Sequence, residues 1–79
     1  MGFFCIGGED AVRGFRLAGV PGRAASDAAG AGAALDEALA RPDCEVVIMT
    51  DFAAALARAR VEEVRQERAR PLIVLVPET

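Results

Sequence analysis

The sequence of 79 residues contains no histidine, lysine, tyrosine or tryptophan. Without histidine, no Ser-His or Cys-His catalytic pair can be assembled, and a transition-metal site would need carboxylates and thiols alone. Without lysine, the chain has neither the phosphate-binding amine of a P-loop nor an amine for a Schiff base. We therefore expect no catalytic residue, no metal and no cofactor.

The charge balance and the lengths of the apolar runs exclude two further classes of protein. The formal net charge is −3 and all nine basic residues are arginine, which together with the missing Tyr and Trp disfavours nucleic-acid binding. No apolar run approaches the roughly 20 residues of a membrane span, and residues 1–6 are too short and lack the basic start of a signal peptide. We expect a cytoplasmic protein that does not insert into a membrane.

Two cysteines are present, at positions 5 and 44, without CxxC spacing. Cys5 lies within one apolar run and Cys44 just before another, which favours buried reduced thiols over a disulfide framework or a metal site.

The first 20 residues predict a strand, a turn and a helix. The apolar run 3–6 precedes two glycines, and then apolar residues recur at three- to four-residue spacing. Glu9 and Asp10 lie in the first helical turn, where their charge meets the positive end of the helix dipole, and Gly19 is a candidate left-handed stop. Gly14 costs roughly 1 kcal/mol in mid-helix, so we expect it to admit another backbone at close range.

The remaining elements follow from turn residues and apolar patterns. A weak edge strand is predicted at 23–25, a helix capped by Ser26 at 27–40, a buried strand at 45–50, a long helix at 52–69 and a second buried strand at 72–76. Pairs such as Arg58/Glu62 and Glu62/Arg65 are expected along a solvated face of the long helix.

The order β-α-β-α-β-α-β predicts a single α/β domain over residues 1–79. Right-handed crossovers and the strength of the apolar runs favour a three-layer fold with a parallel four-stranded sheet in the order 2-1-3-4, as in flavodoxin-like and Rossmann-like folds, lacking a C-terminal helix. In that order the first helix is alone on one face of the sheet. Apolar side chains of strands three and four that point to this face should form an exposed patch, which usually marks a partner site.

Residues 6–10, Val12 and residues 14–20 resemble the N-terminal signature of the F subunit of the V-type (A/V-type) rotary ATPases. Thr50-Asp51 and the segment 70–73 add to the resemblance. It implies a non-catalytic subunit of the central rotor stalk of a proton- or sodium-translocating ATPase or ATP synthase. Such a subunit lies beside the coiled-coil D subunit and is peripheral to the membrane through the complex. Members of that family continue past the last strand into a C-terminal helix, whereas this sequence ends at Thr79.

We predict a partner-binding surface made of Asp10, Arg13 and Arg16 on the first helix and Val74 and Val76 on the last strand. The arginines would meet acidic residues of the D subunit at the rim of the bare sheet face. In the isolated chain we expect self-association through the bare sheet face and strand four, in competition with the D subunit.

Two other hypotheses use the same residues. In a receiver-like phosphoacceptor domain, Glu9, Asp10 and Asp51 would converge at the carboxyl edge of the sheet and bind Mg²⁺. That pattern also needs a lysine, which the chain lacks, and helix capping accounts for the same acids. In a nucleotide or flavin site, Gly7-Gly8 would form a phosphate loop, but G-x-G-x-x-G is absent and the following acids would repel phosphate.

Overall fold

A parallel sheet of four strands forms the middle layer of the molecule. The computed structural model describes residues 2–78, and its strands lie in the order β2-β1-β3-β4. In chain order the elements are β1 (Gly2–Gly7), α1 (Glu9–Leu17), β2 (Gly22–Ala24), α2 (Ala28–Ala40), β3 (Cys44–Thr50), α3 (Asp51–Leu56), α4 (Arg58–Glu67) and β4 (Leu72–Val76). The predicted α/β class and the strand order are confirmed.

The core lies between the two central strands and helices α2, α3 and α4. Phe4 and Ile6 of β1 are in register with Val47 and Met49 of β3, and all four are at most 1% exposed. They pack in one cluster with residues of the three helices, among them Ala31, Leu35, Ala38, Ala53, Val61 and Val64. The nearly continuous apolar runs of β1 and β3 are thus explained by burial at the centre of a parallel sheet.

Helix α1 packs alone on β1 and β2, on the opposite face of the sheet. Because side chains alternate along a strand, the neighbours of the core residues in β1 and β3 point toward this face. Cys5 and Val12 are buried there, outside the core cluster of the other face. One face of the sheet is therefore covered by α2, α3 and α4, and the other only over β1 and β2.

The prediction of one continuous helix over residues 52–69 is wrong. The structure has two helices, α3 and α4, which are separated at Ala57 (φ −123°, ψ 37°). Ala53, Ala57 and Val61 on both sides of the break are all buried in the core. Helix propensity does not explain the break, because alanine is the best helix former. The break coincides with the burial of these side chains against the sheet, which is a tertiary effect. Within residues 2–78, no helix is long and apolar enough to span a membrane.

Two predicted boundaries are shifted by one residue. Helix α2 is capped by Asp27, whose Oδ1 accepts a 2.7 Å hydrogen bond from the Gly30 amide, rather than by Ser26. Strand β2 begins at Gly22, which is in register with Cys5. A Cβ atom at position 22 would lie 2.5 Å from the Cys5 carbonyl oxygen, so this close approach of two backbones requires glycine.

The two glycines singled out in the first helical segment differ in their roles. Gly19 has a φ of +92°, which confirms it as the left-handed stop after α1. Gly14 is exposed, and no atom lies within 4 Å of the position that its Cβ would take. Gly14 lies on the open side of α1, so within residues 2–78 no other part of the chain supplies the close backbone that we predicted at this position.

These two positions predict opposite effects of the same substitution. Gly14→Ala should raise the free energy of unfolding by about 0.5–1 kcal/mol, because alanine is the better helix former and has room. Gly19→Ala should lower it by about 1–2 kcal/mol, because a Cβ is unfavourable in the left-handed region. Urea unfolding of both variants measures the two changes, and equal effects would contradict the conformations assigned to these glycines.

Candidate functional site

The uncovered half of the α1 side of the sheet forms an apolar trough. Its lining follows from the register, because Val46 and Ile48 of β3 are paired with Leu72 and Val74 of β4 and point to the same face. The trough is lined by Phe3, Val46, Ile48, Leu72, Val74 and Val76. The exposed patch expected on strands three and four is thus present in the structure.

The exposure of these side chains is unusual for apolar residues in a sheet. Phe3 is 38%, Leu72 61% and Val74 45% exposed, whereas Cys5 and Thr50, which lie nearer α1 on the same face, are completely buried. Contiguous apolar surface of this kind on a small protein marks a site of interaction with a partner. The trough is therefore the candidate functional site.

The trough has the width of a single helix. Neighbouring strands are about 4.8 Å apart, so β3 and β4 together offer about 10 Å, which is close to the diameter of an α-helix. The flank of α1 beside β3 carries small residues: a Cβ at Gly7 would lie 3.4 Å from Cβ of Ala11 and 2.6 Å from Cγ2 of Thr50. Helical periodicity places Gly14 on the same flank, which leaves space for a second element beside α1.

Only part of the predicted partner-binding set lies in the trough. Val74 and Val76 line it, next to each other on the same face of β4. Asp10 and Arg13 lie on the outer surface of α1 and form an ion pair, with 3.6 Å between Asp10 Oδ1 and Arg13 Nη1. Their side chains are 98% and 68% exposed, so this pair is available to a partner that rises above the trough.

The structure does not bring Arg16 to the trough. Its Nη2 donates a 3.4 Å hydrogen bond to the carbonyl oxygen of Gly22 in β2. Strand β2 is one edge of the sheet and β4 is the other, with β1 and β3 between them. About 14 Å separates two such edge strands.

Sequence reasoning missed Phe3 as a lining residue of the trough, and it included Leu72 only as part of the apolar patch on strands three and four. Phe3 could have been found from strand periodicity, since it is two residues before the buried Cys5. The sequence does not show which of the two alternating sets of side chains in a strand points to the uncovered face, because this depends on the position of α1.

The carboxyl edge of the sheet, where β1, β3 and β4 end, is held together by capping interactions. Thr50 Oγ1 accepts a 3.2 Å hydrogen bond from the amide of Ala53 and so caps α3. Asp51 Oδ1 accepts 2.7 and 3.1 Å hydrogen bonds from the amides of Phe52 and Glu78. Each carboxylate or hydroxyl is thereby used to satisfy backbone donors.

Glu78 extends this network to the first helix. Its two carboxylate oxygens accept hydrogen bonds of 3.2 and 3.4 Å from the amide of Gly8, the residue before α1. A negative group at this position is favoured by the helix dipole. The carboxylate thus occupies the place that the nucleotide hypothesis gave to a phosphate, and sequence reasoning did not single out Glu78.

The acids of the receiver hypothesis do not converge. Asp10 points to solvent and pairs with Arg13, whereas Asp51 is bound to the amide of Glu78. Within the part of the chain that the structure describes, no three His, Cys, Asp or Glu side chains are arranged to hold a metal ion. The geometry of this edge favours the capping account of the same residues.

Both cysteines are free thiols in different surroundings. Cys5 is completely buried, and this burial raises the pKa of its thiol above the ordinary value of 9.0, with a smaller contribution from the Glu78 carboxylate. Cys44 is only half-buried, and burial raises the pKa of its thiol above the ordinary value of 9.0. Its Sγ donates a 3.6 Å hydrogen bond to the carbonyl oxygen of Val46. The prediction of buried thiols is confirmed for Cys5 and only partly for Cys44.

Comparison with known protein families shows to which family the chain belongs. Residues 4–79 match the family described as the ATP synthase (F/14-kDa) subunit. The chain belongs to that family. The resemblance found in residues 6–20 is therefore confirmed, although no curated protein matches the chain significantly.

A solved relative in this group of ATP synthase proteins has the same fold. The chain is similar to the crystal structure of the V-type ATP synthase F subunit of Archaeoglobus fulgidus, with 26% sequence identity and a TM-score of 0.76. The similarity covers 95% of both chains. It therefore includes the strands that form the trough as well as α1.

The raised pKa of Cys5 predicts a loss of stability at alkaline pH. The unfolded chain releases the thiol proton near pH 9, before the folded chain does, so the free energy of unfolding should fall as the pH rises through and above this value. Urea unfolding at neutral and alkaline pH should show a smaller fall for Cys5→Ala than for the protein that retains Cys5. Both proteins carry Cys44→Ala, because burial also raises the pKa of the Cys44 thiol and would add to the fall. An unchanged pH dependence on replacing Cys5 in this background would contradict the assignment.

The capping geometry predicts no phosphoacceptor chemistry at Asp51. With millimolar Mg²⁺, the amide resonances of Gly8, Glu9 and Asp51 should stay in place, because Asp51 and Glu78 already bind backbone donors. Acetyl phosphate should not label Asp51. Stoichiometric labelling, or a saturable shift of these amides with Mg²⁺, would instead support the receiver hypothesis.

Proposed function

We propose that this chain is the non-catalytic central-stalk F subunit of a V-type proton- or sodium-translocating ATPase or ATP synthase. In this proposal its trough binds the coiled-coil D subunit. Membership of the ATP synthase (F/14-kDa) family supports the assignment to the complex, and the trough supports a binding role for the chain. The protein would be cytoplasmic and peripheral to the membrane through the complex.

A helix is the partner element that fits the trough best. Its backbone donors and acceptors are satisfied internally, so it can cover Val46, Ile48 and Leu72 without leaving unpaired polar groups against an apolar floor. A partner helix beside α1 would complete the second helical layer of the sheet over β3 and β4. Covering apolar surface is worth about 25 cal/mol per Å², which is the driving force that we assign to this contact.

The charged residues of α1 lie at different distances from such a helix. Asp10 and Arg13 on the outer surface are free to contact polar residues of a coiled coil that extends above the trough. Arg16 is held at the β2 side by Gly22, so we place it at the margin of the proposed interface. Val74 and Val76 are part of its apolar floor.

Two exposed apolar residues allow a matched test of this interface. Phe3→Glu places a charge in the trough, whereas Leu17→Glu places the same charge on the outer side of α1, where Leu17 is 86% exposed. Phe3→Glu should weaken binding of the purified D subunit at least tenfold, or about 1.4 kcal/mol, because a carboxylate would be buried against apolar surface. Leu17→Glu should leave the affinity within a factor of about two to three, a change of roughly 0.5 kcal/mol.

The measurement is a titration with the D subunit, and circular dichroism establishes that each variant is folded. Equal affinities of the two variants would show that the D subunit binds elsewhere on the molecule. Absence of any binding by the unsubstituted chain would contradict the proposed function itself.

A further inference from the structure

Gly14 lies in the middle of α1, at a position where the fold itself does not need glycine. Glycine in a helix interior lowers helix stability relative to alanine, and it is normally used where φ is positive or another group comes close. Among the described residues the positive φ belongs to Gly19, and no atom lies within 4 Å of the position that a Cβ of Gly14 would take. Nothing within residues 2–78 therefore requires glycine at position 14.

A hydrogen bond shows how α1 is turned about its axis. Val12 is buried beneath the helix, against the sheet. Arg16, one turn after Val12, donates its hydrogen bond to the carbonyl oxygen of Gly22 in β2. The flank of α1 that carries Arg16 is therefore the one toward β2, and the opposite flank faces β3 and the trough.

The flank of α1 toward β3 is made of small residues. Ala11 lies on it, because the Cβ of Ala11 and the Cγ2 of Thr50 in β3 are both at most 3.4 Å from the position that a Cβ of Gly7 would take. Gly14 and the C-cap residue Ala18 follow Ala11 by three and seven residues, so they lie on the same flank. Ala11, Gly14 and Ala18 thus form one wall of the trough.

Small residues in this wall allow a partner helix to approach α1 closely. The axes of packed helices are about 8–10 Å apart, and the side chains at the contact determine the distance. Because α1 packs on β1 and β2 and neighbouring strands are about 4.8 Å apart, a helix about 8 Å from α1 has its axis nearly above β3. At a distance of about 10 Å the axis lies between β3 and β4, and the helix is farther from β1.

The exposed floor of the trough favours the shorter distance. It includes Phe3 of β1, which is 38% exposed, as well as Leu72 and Val74 of β4. A helix above β3 has Phe3 on one side and the two β4 residues on the other, so it covers all three. A helix nearer the open edge would leave Phe3 in contact with water and would lose the burial of a large aromatic side chain.

We propose that Gly14 is the point of closest approach between α1 and the helix that binds in the trough, and that Ala11 and Ala18 extend this contact. The inference rests on the proposed binding of the D subunit, which supplies the helix. Glycine at position 14 weakens α1, but the absence of a side chain lets the partner helix reach Phe3. Gly14 is thus a positioning residue of the interface, because it sets the distance of the partner helix from α1.

Substitutions at two helical glycines separate this contact from an effect on helix stability. Gly32 lies in α2, on the opposite face of the sheet, and like Gly14 it has no atom within 4 Å of the position that its Cβ would take. Leucine is a better helix former than glycine, so neither Gly14→Leu nor Gly32→Leu should lower the urea midpoint of unfolding. Only Gly14→Leu places a large side chain in the wall of the trough.

Titration with the purified D subunit should show that stability and affinity change in opposite directions at position 14. Gly14→Leu should weaken the affinity about tenfold or more, and Gly14→Ala about threefold, because each added group holds the partner helix away from the floor. Gly32→Leu should bind within a factor of about two to three of the unsubstituted chain.

Equal affinities of Gly14→Leu and Gly32→Leu, with Phe3→Glu still weakened, would show that the D subunit binds in the trough without packing on α1. This result overturns the close approach at Gly14 and leaves the proposed function standing. Unchanged binding in both Gly14→Leu and Phe3→Glu, or no binding by the unsubstituted chain, would overturn the proposed function and this inference together. A lower unfolding midpoint for Gly14→Leu than for the unsubstituted chain would show that α1 itself requires glycine, and it would also overturn the inference.

Discussion

Pairing of β1 with β3 at the centre of the sheet is the interaction on which the rest of the molecule depends. It brings Phe4 and Ile6 beside Val47 and Met49, and these four side chains form the floor of the core under α2, α3 and α4. A domain of this size buries only about 60% of its unfolded surface, so it cannot lose such a contact. The same pairing places β4 at an edge, and the exposed surfaces of the molecule follow from that position.

The carboxyl edge of the sheet shows how the acidic residues are used. In many α/β proteins this edge binds ligands. Here Asp51 and Glu78 form a chain of hydrogen bonds that links the end of β4 to the residue before α1. Thr50 caps α3 in the same region. The polar side chains of this edge therefore bind backbone amides of the chain itself. The trough differs from it, because its apolar side chains are exposed and no other part of the described chain covers them.

Much of this architecture could be predicted from the sequence, because its strongest signals are local. Apolar runs of strand length, the acids at the start of α1 and the left-handed glycine at position 19 determine where elements begin and end. Their order restricts the topology through right-handed crossovers. The errors concern the boundaries of elements. The cap of α2 lies at Asp27, one residue after the predicted Ser26, and the break at Ala57 lies where the side chains of α3 and α4 are buried in the core.

By itself, the sequence determined the α/β class, the strand order and the existence of an uncovered apolar face, since these follow from element order and periodicity. Tertiary structure decided which side chains share that face. Phe3 and Leu72 line the trough because of strand register, and Arg16 lies at the opposite edge because α1 covers β1 and β2. Periodicity assigns a residue to one of two faces, but only the packing of helices on both sides determines which face is left open.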